Sequence, residues 1–211
     1  IPVHSTEDEK FDQYFQNALK SISDNKVLPE KVLVVAPPEL QEKLNGLKLK
    51  DMLDVSIIPN DGETDFSSQM NHAIKSVETE YFSFLEFDDE YSNLWFDNAD
   101  KYSKEFPETS VFLGIVNDVS PEDKFLGYTN EIAWAYEFTE KQGFIDSDTL
   151  KEYPNFNPDG MIMKTADFIR IGGYKKNIKL TFNLEFLLRV CEQALPIMVI
   201  PKIGYKHVNM R

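Results

Sequence analysis

The sequence holds a single cysteine, Cys191, among its 211 residues. That excludes an internal disulfide and fits a reducing compartment, which points to a cytoplasmic location. Cys191 lies in an apolar helical pattern, so a buried, inert thiol is expected. Long apolar runs are missing as well. None approaches the roughly 20 residues of a transmembrane helix, and no membrane segment is expected. Basic residues are few: Lys and Arg number 22 against 36 Asp and Glu, a net charge of −14. No basic stripe gathers them, which excludes a non-specific nucleic-acid binder. A nucleotide is still compatible, since a metal held by acids can carry its phosphates. No Gly-rich phosphate loop with a lysine follows the first strand, and that argues against a nucleotidyltransferase on a similar sheet. Neither repeat nor linker divides the chain, so residues 1–211 read as one domain. The opening Ile1-Pro2-Val3-His4 reads as the end of a central strand. A half strand would leave ladder partners unpaired, so residues upstream of Ile1 are expected in the natural product.

What the sequence does have is concentrated between Glu80 and Tyr91. Tyr81 to Phe87 is short, aromatic and aliphatic, and reads as a strand buried on both faces. Glu86, Asp88, Asp89 and Glu90 follow, four acids in five positions. Carboxylates at the C-terminal end of such a strand stand where open α/β sheets hold their ligands. Acids this close repel one another and raise their own pKa values unless a cation is present. Oxygen ligands favour Mg²⁺ or Mn²⁺ over zinc. The alternative is a solvated acidic turn after a core strand.

Around that stretch, helical and strand patterns alternate. Thr6 and Glu9 form a capping box opening a helix from Glu7 to Ser23, with Phe11, Tyr14, Phe15, Ala18, Leu19 and Ile22 on one face. Lys31–Ala36 and Val55–Ile58 read as strands, and Glu39–Leu44 as a short helix. Asn60-Asp61-Gly62 is a turn, and Ser67–Val77 a helix. Leu94–Phe106 reads as a helix, Val111–Val116 as a strand and Asn130–Phe138 as a helix, with a strand as its alternative. Met161–Met163 is a short strand, Ala166–Ile171 a helical turn and Gly172-Gly173 a breaker. A helix over Thr181–Gln193 buries Leu184, Leu187, Leu188 and Cys191, and Ile197–Ile200 is the last strand, followed by Lys202 to His207. Strands alternating with helices at this spacing predict an α/β fold with a mostly parallel, doubly wound sheet and helices on both faces.

The order of motifs resembles the family 2 glycosyltransferases of the GT-A fold. Pro2, Val3 and His4 look like the strand end that begins their nucleotide pocket. Gln69-Met70-Asn71 followed by Tyr81 to Asp89 is similar to their R-N-x-G…F-L-D-x-D-D stretch, with Glu86-Phe87-Asp88-Asp89 standing for D-x-D-D. Gly160 to Tyr174 and the helix ending at Arg189 resemble two further segments. The ending Ile200 to His207 and the small size look most like versions carried by tailed phages, which would place the protein in host cytoplasm or in a virion. The resemblance implies transfer of a sugar from a nucleotide-sugar, UDP-linked, to an acceptor hydroxyl. It further implies a nucleotide-binding half over 1–90 and an acceptor half over 91–211. Mn²⁺ or Mg²⁺ would sit at Asp88 with Glu86 or Asp89. His207 would be a third ligand, against the alternative of a surface histidine. Asn71, Glu86 and Asp88 would line the donor pocket.

Two departures stand against the resemblance. Val35-Ala36-Pro37-Pro38 replaces the acid that reads the base, so Asn60 or Asp61 would take that contact. Asn183 occupies the position of the family's general base, and asparagine cannot accept a proton. Glu185, two positions on, and Glu131 are the candidates in its place, with Asp159 a further acid in a loop. A non-catalytic GT-A domain serving as a binding or structural module is the competing reading. Trp95 and Trp134 read as core or rim aromatics rather than sugar platforms, and Lys175, Lys176 and Lys179 as a solvated basic patch.

Overall fold

The computed structural model describes residues 1–4, 9–46 and 53–209. The chain starts by laying Ile1–Val3 alongside the first full strand, β1 (Val32–Ala36): Val3 N–H donates to Val35 O at 2.8 Å, and Val35 N–H to Ile1 O at 2.9 Å. Helix α1 (Phe11–Ser23) buries five of the six residues that set its apolar spacing and leaves Tyr14 half-buried. It begins later than expected, after an uncapped Lys10. Thr6, half of the expected capping box, lies outside the described residues.

A 3₁₀ turn over Pro38–Leu40 leads into α2 (Gln41–Gly46). Strand β2 (Val55–Pro59) pairs in parallel with β1. Helix α3 (Phe66–Ala73) is capped by Asp65, whose carboxylate accepts from Ser68 N–H. Capping of this kind is worth about 1 kcal/mol. A 3₁₀ turn over Ile74–Ser76 extends it to nearly the end expected from sequence.

The expected strand Tyr81–Phe87 proves shorter. Only β3 (Tyr81–Ser83) is regular, and a two-residue strand β4 (Glu90–Tyr91) follows the acids. Phe84, Leu85 and Phe87 are buried without joining a ladder. Their apolar character marked burial, and the pairing does not follow from it. Helix α4 (Trp95–Glu105) and strand β5 (Val111–Val119) come next, then β6 (Phe125–Thr129). The helix expected over Asn130–Phe138 shrinks to a 3₁₀ turn, Glu131–Trp134. Strand β7 (Phe144–Ile145), helix α5 (Ser147–Glu152), strand β8 (Ile162–Lys164) and helix α6 (Thr165–Arg170) follow. Helix α7 (Phe182–Glu192) buries Phe186, Leu187 and Val190, leaving Leu184, Leu188 and Cys191 half-buried. The last strand, β9 (Ile197–Val208), runs unbroken through Pro201 to His207.

The larger sheet has the order β3-β8-β5-β9-β4, with β6 on β5 and β7 on β9. The α/β class is as expected, but pairing in this sheet is mixed. β5 and β9 are parallel; β3–β8, β5–β8, β5–β6, β4–β9 and β7–β9 are antiparallel. A mostly parallel sheet is therefore corrected to a mixed one. Short returning strands such as β6 need only a tight turn and so pair antiparallel with their predecessor.

Alternate residues of the central pair divide the core. Phe112, Met198 and Ile200 join one apolar cluster with α1 and α4; Val111, Leu113, Ile197 and Val199 join a second with α6 and α7. Helices thus cover both faces, as the period-2 alternation of strands requires. Trp95 is wholly buried, over Gly204 and Gly114. A Cβ at Gly204 would lie 2.7 Å from its ring. Trp134 donates its indole N–H to Val199 O at 2.9 Å. Both tryptophans are packing residues, as expected. Among the described residues no helix is long and apolar enough to cross a membrane.

Candidate metal and nucleotide site

The acids after β3 are held in place by two tyrosines. Tyr91 donates its hydroxyl to Phe84 O at 2.9 Å, and Glu86 N–H donates to Tyr205 Oη at 3.1 Å. Asp89 N–H closes a turn onto Glu86 O. The chain then re-enters the sheet as β4, where Glu90 lies opposite Lys206 and pairs with it at 3.2 Å.

That register carries Asp89 to the end of β9. Asp89 is 1% exposed. One carboxylate oxygen accepts from Val208 N–H at 2.7 Å, and the other meets His207 Nδ1 at 3.1 Å. Asp159 arrives from a loop ahead of β8. Its N–H donates to Asn157 Oδ1, and its carboxylate accepts from Asn157 Nδ2 at 2.8 Å. Gly160, at φ 69°, presses against Tyr205, where a Cβ could not fit. Ligand atoms of Asp89, Asp159 and His207 all lie within 4.8 Å of one another.

Two carboxylates and an imidazole form a donor set suited to a hard or borderline divalent cation. The electrostatics agree. Burial, then the charges of Asp159, Asp89 and Asp88, push the Glu86 carboxyl up to about 8. Burial and then Asp89 push Asp159 up to about 6. His207 is raised to about 9, first by its hydrogen bond to Asp89 and, against burial, by the charges of Asp89, Asp159 and Asp118. Burial first, and then the mutual repulsion of the acids, favours protonation of the two carboxyls, and the surrounding acids favour the imidazolium. A divalent ion would compete with protons for these groups and offset the gathered negative charge.

The residues expected from sequence separate into groups. Asp89 and His207 come together. Asp88 stands beside them, half-buried, with its charge acting on Glu86. Pro2 and Val3 are buried. His4 is exposed and sets its ring edge-on to Phe87 at 5.3 Å, next to the acids. Asn60 shapes its own turn, accepting from Gly62 N–H and donating to Glu63 O. Asp61 faces Lys176 at 3.6 Å, and Lys179 reaches Asp65 at 3.5 Å, so two of the three lysines pair across to the approach to α3. Asn71 commits both ends of its amide to the backbone of Tyr174, at 2.8 Å each way. Glu185 is gripped by Arg189 through two bonds of 2.7 and 2.8 Å. Arg189 also donates to Ile171 O. Glu131 is exposed.

Asp159 was legible in the sequence only as one acid among several. Its signal is the run Asn157-Pro158-Asp159-Gly160, a turn signature whose asparagine bonds its own backbone two residues on. A cleft of about 650 Å³ opens between Leu33 on β1 and Phe82 and Phe84. Glu86, Asp88, Asp89, Asp159 and His207 do not line it.

The fold is that of the GT-A glycosyltransferases. Solved structures that share it include TarS 1–349 of S. aureus, at 16% identity and a TM-score of 0.71, over 94% of this chain and 58% of that one. TarS 1–349 in complex with UDP-GlcNAc aligns at 17% identity and TM-score 0.72, over 96% of this chain and 56% of the other. The complex with UDP aligns at 17% and 0.73, over 94% and 57%. The chain thus spans a little over half the length of these structures. No protein-family model matches the sequence, and comparison with curated proteins finds no match.

Proposed function

We propose that the protein is a metal-dependent glycosyltransferase that takes a sugar from a UDP-linked donor and passes it to an acceptor hydroxyl. The observation that carries this reading is the meeting of Asp89, Asp159 and His207 beside Glu86 and Asp88. It occurs in a fold shared with a protein solved with UDP-GlcNAc and with UDP. Asp89, Asp159 and His207 hold Mn²⁺ or Mg²⁺, with Asp88 and Glu86 alongside for the ion or the ribose. The bound ion supplies Lewis-acid stabilisation of the charge on the departing diphosphate. Residues 1–90 serve the nucleotide, with Pro2, Val3 and His4 at the rim of its pocket and Asn60 and Asp61 toward the base. Residues 91–211 serve the acceptor.

A second reading, a GT-A domain kept for binding, draws support from one feature. Asn183 stands at the position of the general base, and the nearest replacement, Glu185, is already engaged by Arg189. Calorimetric titration separates the readings in two stages. Mn²⁺ followed by UDP should bind in sequence, UDP more tightly once the ion is present. Turnover of UDP-sugars in the presence of acceptor hydroxyls then favours the enzyme, and UDP binding without turnover favours the binding module. Absence of both Mn²⁺ and UDP binding would overturn the proposal.

A further inference from the structure

The loop that brings Asp159 to its partners is short of regular structure, and at its Asn157 end it is tied to the sheet by a side chain from another loop. Asn130 follows β6 at φ 77°, a left-handed conformation uncommon for a residue other than glycine, and is 0% exposed. Its amide nitrogen donates to Gly114 O on β5 at 2.8 Å and to Asn157 O at 2.7 Å. Its carbonyl oxygen accepts from Asn157 N–H at 2.7 Å. The single amide therefore satisfies both backbone groups of Asn157 and anchors them to the centre of the sheet. Asn157 in turn uses its own amide on Asp159, at both the backbone N–H and the carboxylate. At the far end of the turn, Gly160 O accepts the indole N–H of Trp95 at 2.8 Å.

We propose that Asn130 is the positioning residue of the site: it fixes the Asn157–Gly160 turn so that Asp159 meets Asp89 and His207. The inference rests on the reading of that group as a metal site. The backbone observation supports it independently. A left-handed asparagine costs conformational energy, and such strain persists where the surroundings demand it. Here the demand is a side chain that reaches β5 and the loop together. Outer partners that orient ligands typically govern metal affinity by about 10- to 100-fold.

The test is Asn130→Gly, which keeps the left-handed backbone accessible and removes the amide. The variant should melt cooperatively and yet bind Mn²⁺ about 10- to 100-fold more weakly, measured by titration with detection by electron paramagnetic resonance. The Trp95 indole N–H resonance, assigned with Trp134→Phe, should also shift as Gly160 O moves away. A residue that only stabilised the fold would lower the melting temperature and leave the Mn²⁺ affinity of the folded protein unchanged. Parent-like Mn²⁺ affinity with an unmoved Trp95 resonance would overturn the inference. Should Asn130→Gly fail to fold, Asn130→Asp retains the bond from Asn157 N–H and loses both donated bonds. The same two changes are expected there, and their absence counts against the inference equally. If the parent binds no Mn²⁺, the metal reading fails. The Trp95 resonance then decides the positioning role alone, with a shift upholding it and no shift overturning it.

Discussion

Asp89 and His207 stand 118 residues apart in the chain and meet at 3.1 Å, brought together where β4, which begins just after Asp89, pairs with β9. Asp89 does two jobs at once, accepting from Val208 N–H and standing within reach of Asp159 and His207. The jobs should separate by mutation. Asp89→Asn keeps an acceptor for Val208 N–H and should fold, but lose most of the Mn²⁺-induced rise in melting temperature. Asp89→Ala strands a buried N–H as well, and should cost about 1.5–3 kcal/mol in urea unfolding. Asp159→Asn should lose the Mn²⁺ response without that stability penalty. A full Mn²⁺ response in both asparagine variants would place the ion elsewhere.

The same cluster sets a pH dependence. Glu86, Asp159 and His207 all have folded values raised above 4.5, 3.8 and 6.5, to about 8, 6 and 9. Each group therefore binds protons more readily in the folded state. Its contribution to stability is fully present below the ordinary value and is lost as pH rises through the folded one. In EDTA, the melting temperature should fall from about pH 5 to pH 9. Glu86→Gln mimics the protonated form and should melt on the order of 5 °C higher than the parent at pH 8. Mn²⁺ competes with these protons, so its stabilising effect should grow over the same range. A parent and Glu86→Gln pair with matching pH profiles would exclude Glu86 as the source.

Glycine contacts under Trp95 offer a test of the core. A Cβ at Gly204 would meet Trp95 at 2.7 Å, and one at Gly114 would meet the Gly204 Cα at 2.9 Å. Neither ring nor strand can retreat in a packed core, so each alanine variant should lose about 1–3 kcal/mol by chemical denaturation. A Cβ at Gly172 would meet nothing within 4 Å, but the residue lies at φ 80°. Its alanine variant should cost only the left-handed strain, about 1–2 kcal/mol.

Cys191 is half-buried, and burial pushes its thiol up to about 11. At pH 7.5 the thiolate is scarce, so alkylation by iodoacetamide should be slow in the folded protein and rapid in urea. Equal rates in both conditions would show an open thiol and contradict the packing of α7.

The long helices were legible because apolar spacing and burial agree there: α1, α4 and α7 fall within the stretches that periodicity marks, and α3 begins one residue ahead of its own. β6 was not legible. Phe125, Leu126 and Tyr128 are all exposed, so no alternation between faces betrays the strand, which owes its pairing to the neighbouring β5. The acids after β3 were visible as a cluster, and so was His207 in the tail. Their union with Asp159 was not, since it depends on the Asn130 amide crossing from one loop to another. Sequence periodicity carries no trace of such a bond.

The acceptor's base is the last question the geometry sharpens. An acceptor hydroxyl attacking the donor sugar needs a proton acceptor within hydrogen-bond reach. Glu185 is bound to Arg189 through both oxygens, and Arg189 is itself tied to Ile171 O. Removing that carboxylate frees a half-buried guanidinium, so Glu185→Gln should lower stability by about 1–3 kcal/mol and leave turnover per folded molecule near the parent's. Glu131 is exposed and follows directly on Asn130, whose amide holds the Asp159 loop. As the base, its loss in Glu131→Gln should reduce kcat by roughly 10²–10⁴ while Mn²⁺ and UDP affinities hold. The measurement is transfer from UDP-GlcNAc and other UDP-sugars to a panel of hydroxyl acceptors, with the anomeric configuration of the product read alongside. A large kcat loss in Glu185→Gln at parent-like stability would move the assignment to Glu185. Parent-like kcat in both variants, with the donor's configuration retained in the product, would instead mean a transfer that uses neither residue as base.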